Sequence, residues 1–125
     1  MSQNKPDTAP KGWEINGQTF PFDLEDADIM ERYENAFEAM AAEEAQITAE
    51  SKKSAQIRAY CLLYRHLFDA LFGDGTADKI FAGKPMHAAE HEAVYDSFLD
   101  FVRKQTAAAA ERRAARIGKY LPKKK

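Results

Sequence analysis

The sequence predicts a mainly α-helical domain: three to four helices, an N-terminal β-hairpin and a basic helical C-terminal extension. Three observations support this. Ile57, Tyr60, Cys61, Tyr64, Leu67, Phe68, Leu71 and Phe72 recur three and four positions apart, the period of one helix face. Alternation suited to strands is confined to the residues around Asn16-Gly17, a pair favoured where both central residues of a tight turn need positive φ. Finally, 125 residues suffice for one ordinary hydrophobic core and suggest a single domain.

Residues 1–11 are polar, with Pro6 and Pro10, and are expected to form a flexible N-terminal tail. They have neither the apolar stretch of a secretory signal nor the arginines of a transit peptide, which suggests a cytosolic protein. Residues 12–104 form the expected domain. Trp13-Glu14-Ile15 and Gln18-Thr19-Phe20 flank the turn, and Pro21, with no amide hydrogen to give, ends the ladder. A lone hairpin is marginal, so Trp13, Ile15, Phe20 and Phe22 must lean on helices.

Four acids between Asp23 and Asp28 precede the series Ile29, Met30, Tyr33, Phe37, Met40 and Ala41. Acids favour the positive end of a helix dipole, so a first helix is expected from about Asp26 to about Ala45. Its Glu31, Glu34, Glu38, Glu43 and Glu44 form a solvated face. Residues 46–54 contain no Gly or Pro and suit either a turn or continued helix. The second helix ends at Gly73, which supplies a left-handed residue. Thr76 is the expected cap of a short helix, Ala77 to Phe81, closed by Gly83 and Pro85. A last helix should start near His87 and point Val94, Tyr95, Phe98, Leu99 and Val102 inward. From Ala107 the chain is rich in Ala and Arg, with high helix propensity but little apolar surface before Ile117, Tyr120 and Leu121. Residues 105–125 are therefore expected to extend beyond the core, with the helix ending at Gly118 or Pro122.

Charge is unevenly distributed. Residues 103–125 hold nine basic residues against Glu111 alone, a net of +8, so the rest carries −10 of the chain's −2 total. A basic tail suits nucleic acid, an acidic partner or simple solvation. Arg112, Arg113, Arg116 and Lys119 are the candidate polyanion contacts, but Tyr120 is the sole aromatic among them. With no base-stacking platform, nucleic acid is not the expected partner. The longest apolar run, Tyr60 to Tyr64, stops at Arg65, far short of the ~20 residues that cross a bilayer, so no membrane partner is expected.

Chemical motifs are sparse. His87-Ala88-Ala89-Glu90-His91 matches the H-x-x-E-H zinc string, with two histidines one helical turn apart and a potential base between them. Only core helix and basic tail remain downstream for a third ligand, so both histidines are expected to be ordinary surface residues. Gly73-Asp74-Gly75 lacks the preceding strand and following Lys-Ser/Thr of a phosphate loop. A calcium loop centred on Gly75 would need oxygen ligands at Ala70 and Phe81. Cys61 should be a structural hydrophobe, His66 a flank residue, and no nucleophile stands beside a recognisable base. No catalytic, metal or cofactor residue is assigned, and a non-enzymatic binding role is expected. Among the aromatics, Phe81 sits beside glycines and Phe101 is read as lying off the Phe98/Val102 stripe; these two are the candidate protein-interaction residues, since aromatics are enriched at interfaces.

Three strings carry a family resemblance: Ile15-Asn16-Gly17-Gln18-Thr19-Phe20; Phe22-Asp23 with Asp26-Ala27-Asp28; and Phe68 to Thr76 through Lys79-Ile80-Phe81 and Gly83-Lys84. They resemble small proteins of tailed phages and prophages of Gram-positive bacteria, encoded among tail-morphogenesis genes. The resemblance covers roughly residues 13–102 and leaves the segment after Lys104 outside. It implies a tail assembly chaperone or accessory factor that binds tape-measure or tube subunits in the host cytoplasm. A minor virion component, or a small nucleic-acid-binding regulator using the basic tail, is the alternative, and a homo-oligomer is left open in either case. It brings no catalytic residue.

Overall fold

The computed structural model describes residues 11–47 and 52–120. A two-stranded antiparallel hairpin, β1 (Gly12–Ile15) and β2 (Gln18–Pro21), is followed by four helices, α1 (Ala27–Ile47), α2 (Lys53–Phe72), α3 (Thr76–Ile80) and α4 (Ala88–Tyr120). The fold is thus mainly helical with an N-terminal hairpin, as expected. The anticipated N-terminal tail lies outside the described residues except for Lys11.

Asn16 and Gly17 both adopt positive φ, 53° and 76°, the requirement that singled out the pair. The hairpin places Trp13 opposite Phe20 and lays its apolar face on the helices. The Trp13 indole stacks on Phe68 at 5.1 Å and meets Phe98 edge-on at 5.3 Å, while its N–H donates to Ser97 Oγ at 3.1 Å. The turn also grips α3: the Asn16 side-chain amide donates to the Ile80 carbonyl at 2.8 Å and that of Gln18 to the Lys79 carbonyl at 3.3 Å. Both acceptors lie at a helix end, where carbonyls lack intrahelical donors.

Asp26 caps α1, its carboxylate accepting from the amides of Asp28 and Ile29. α1 ends at Ile47, and Lys52 is extended (φ −98°, ψ 135°) just before α2, so these are two separate helices; residues 48–51, within the stretch left open by the sequence, lie outside the described residues. Gly73 (φ 112°) ends α2 as expected. The cap of α3 is not Thr76, which is the helix's first residue and buried. Asp69, a turn before the end of α2, supplies the oxygen instead, accepting from the Ala77 amide at 2.8 Å.

α4 runs unbroken for 33 residues and passes through Gly118, so that glycine does not end it. It also crosses the boundary expected after residue 104. Gln105 and Ala109 are buried, and the body therefore continues to Ala109. Gln105 bridges two elements: its carbonyl oxygen accepts from the Leu24 amide at 2.7 Å and its amide donates to the Phe22 carbonyl at 2.8 Å. This pins the 22–24 segment, which leads into α1, against α4.

The core lies where the hairpin, α2, α3 and the first half of α4 meet, around Trp13, Phe22, Phe68, Leu71, Ile80 and Phe98. Both candidate interface aromatics belong to it. Phe81 is 2 % exposed and Phe101 6 %, which corrects their assignment as protein-interaction residues. The reason is periodicity: Ala77, Ile80 and Phe81 form one apolar helical turn, and Phe101 continues the stripe Val94, Phe98, Val102, Gln105. Among the described residues, no helix is long and apolar enough to cross a membrane.

Candidate functional site

Three places could carry function: the His87/His91 turn, the outer groove between α1 and α2, and the end of α4. The first is structural. His87 precedes α4, and its Nδ1 accepts from the Glu90 amide at 3.2 Å, so the imidazole serves as an N-terminal cap. His91 is fully buried, not on the surface as expected. Its Nδ1–H donates to the His87 carbonyl at 2.9 Å, and Nε2 accepts from Arg65 Nε at 3.0 Å. These bonds fix the neutral Nδ1–H tautomer. The ring stacks on Phe81 with centroids 4.2 Å apart and planes 7° apart, and the Arg65 guanidinium lies 5.0 Å from the Phe81 centroid. Burial, aided by the nearby Arg65 charge, lowers the His91 pKa. Both ring nitrogens are thus engaged, and metal ligation by His91 would have to displace Arg65 or the His87 carbonyl. Among the described residues, no group of three or more His, Cys, Asp or Glu converges as a metal site.

Other reactive side chains are similarly occupied. Cys61 is buried, and burial pushes its thiol up, away from the thiolate a nucleophile needs. Tyr64 is pushed up to about 12, chiefly by burial and then by Glu92. His66 lies on the exposed flank of α2, as expected, and pairs with Glu43 at 2.8 Å.

The groove between α1 and α2 is lined by Asp28, Glu31, Arg32, Ala36 and Ala39 from α1 and by Ala70 from α2, and encloses about 420 Å³. Its alanines make a shallow floor between acidic side chains. Arg32 is directed to the Leu71 carbonyl at 3.4 Å. Outside the groove lining α1 also carries Glu34, Glu38 and Glu44, all exposed.

The end of α4 differs from both. Every residue from Ala110 to Tyr120 is exposed, a stretch of about 16 Å at 1.5 Å per residue. We call it the arm. Arg112, Ala115, Arg116, Lys119 and Tyr120 share one face, with the spacing i, i+3, i+4, i+7, i+8 of a helical stripe. Ile117 is 57 % exposed and Tyr120 73 %, while the Arg116 guanidinium lies 5.8 Å from the Tyr120 ring centroid. The four candidate polyanion residues therefore occupy one element but not one environment. Arg112 and Arg113 both pair with Glu25 at the arm's base, whereas Arg116 and Lys119 lie farther out with the exposed apolar pair. Ile117 and Tyr120 were not assigned from sequence; an apolar pair beyond the last buried residue, on a helix with no core left to cover, was the available signal.

Residues 16–125 match the Family of unknown function (DUF6673), and the chain belongs to that family. No curated protein and no solved structure matches it. The match spans the whole arm, the part of the chain that the resemblance noted above leaves outside.

Proposed function

We propose that this family member is a non-enzymatic assembly factor of a phage tail, acting as a chaperone or accessory protein that binds tape-measure or tube subunits. The arm is its docking element. The observation that carries this reading is the position of Ile117 and Tyr120, exposed on a cationic helix after Ala109, the last buried residue among those described. Apolar side chains held in water beside arginine have the composition of interface anchors. The body also exposes Ile57 and Leu62 on α2, at 43 % and 39 %, both less than the arm pair, and Phe81 and Phe101 are inside it. The tail proteins as partners rest on the resemblance of the hairpin and α2–α3 strings. The use of the arm rests on its exposure.

The test is co-expression with the tape-measure and tube proteins of the same genome, followed by capture on the tagged chain. Capture by the wild-type chain, and its loss in the Ile117→Ser/Tyr120→Ser double variant with the melting temperature unchanged, is the expected result. Capture by the double variant would move the docking surface elsewhere. If wild type captures neither tail protein, the tail reading fails.

A further inference from the structure

From the charge and geometry of the arm and of α1, we infer that copies of this chain associate head to tail, the arm of one lying in the acidic α1/α2 groove of the next. Charge complementarity selects the occupant. The groove itself is lined by Asp28 and Glu31 against Arg32, on a helix that carries four further glutamates, Glu34, Glu38, Glu43 and Glu44, outside the groove; the arm carries Arg112, Arg113, Arg116 and Lys119 against Glu111 alone. Two arms cannot pair with each other without bringing like charges together.

The lengths also match. The groove side of α1 runs from Asp28 to Ala39, about 16 Å of helix axis, close to the length of the arm. Its floor of Ala36, Ala39 and Ala70 lets a second helix approach closely, and the i, i+3 spacing of Asp28 and Glu31 matches that of Arg116 and Lys119.

The arm cannot reach the groove of its own chain. Glu25 meets Arg112 at the arm's base, while Phe37, farther along α1, lies beside Tyr95, earlier in α4. α1 therefore runs back along the body as α4 runs forward, and the arm leaves past the start of α1. Folding back would need a kink, and α4 holds neither a proline nor a break between Ala88 and Tyr120. A second copy satisfies the arm without such a change. The contact joins two different surfaces, so it either closes into a ring or propagates. The short arm makes the interface small, and its charges make it sensitive to salt.

The experiment is sedimentation velocity of the full chain over a concentration series at about 50 mM and about 500 mM NaCl, concentrations between which screening of exposed charges rises steeply. Association growing with concentration at low salt and lost at high salt is expected. Arg116→Glu/Lys119→Glu, at exposed positions remote from the core, should remain monomeric, as should Asp28→Lys/Glu31→Lys. Mixing the two charge-reversed proteins should restore association, because each then presents the complement of the other. A wild-type chain that stays monomeric at low salt overturns the proposal. So does association that survives either charge reversal, or a mixture of the two charge-reversed proteins that stays monomeric. Because tail proteins are absent from this experiment, its failure leaves their capture by the arm untouched, and failed capture leaves self-association untouched.

Discussion

The two halves of α4 differ in everything except their helical backbone. From His91 to Ala109 the helix repeatedly presents buried side chains to the hairpin and α2, and its stability comes from that packing. From Ala110 to Tyr120 it packs against nothing in the described body beyond Glu25, and its persistence rests on alanine and arginine propensity. One continuous element therefore builds the core over its first half and stands exposed over its second. The buried aromatic side chains lie in the first half, and the second exposes charge and two large apolar groups, on which the proposed docking role rests.

The sharpest way to break this comparison is to truncate the first half's aromatic contacts. Phe68→Ala should cost about 3–5 kcal/mol, since a fully buried phenyl ring is replaced by a cavity. Phe81→Ala belongs in the same range, because His91 and Arg65 lose the ring they pack on. Urea denaturation checks both, and an unchanged midpoint for Phe81→Ala would contradict its place in the core. Gln105→Leu tests where the body ends. The substitution leaves the Leu24 amide and Phe22 carbonyl without their side-chain partner, at a cost of about 2–4 kcal/mol for two buried groups. A loss below that range would mean that Gln105 is peripheral and the body stops before it.

Acidification probes the same half through His91, which faces Arg65 from α2, Phe81 from the turn after α3, Glu90 from its own helix and His87 from the cap just before it. Burial, then Arg65, holds its folded pKa below the ordinary 6.5. Above about 6.5 the ring is neutral folded or unfolded and its full contribution is present. As pH falls from there through the folded pKa, the unfolded chain takes up the proton first, and stability declines. Chemical denaturation at successive pH values should show this slope, and His91→Gln should flatten it. The smallest effect belongs to the arm: Ile117→Ser/Tyr120→Ser should shift stability by no more than about 0.5 kcal/mol, as substitutions on an exposed surface do.

Local signals gave much of the fold. Asn16-Gly17 needed only its own backbone to specify the turn, and the stripe of α2 named its buried face. The misread positions depended on distant partners or on a periodicity followed too narrowly. Nothing near His91 in sequence reveals that Arg65 donates to its Nε2, so a buried, hydrogen-bonded base resembled a surface histidine in a zinc string. The glycines near Phe81 suggest an exposed connection, whereas Ala77 and Ile80 mark an inward turn. The cap of α3 comes from Asp69, eight residues before the amide it accepts from, beyond the reach of an adjacent-residue rule. Of the candidate site, the charge of the arm was legible, but its geometry was not: only the packing of Gln105 and Ala109 shows where the body ends.

Hydrogen exchange on the full chain, followed residue by residue, tests the division most directly. In dilute protein at high salt, amides of Arg112 to Tyr120 should exchange quickly, while those of Cys61 to Leu71 and Val94 to Gln105 should exchange only on global unfolding. In concentrated protein at low salt, protection should rise in the arm and along Asp28 to Ala39 together, leaving the core amides unchanged. An arm as protected as the core when dilute, or association that protects other segments and leaves the arm exchanging, would contradict the account.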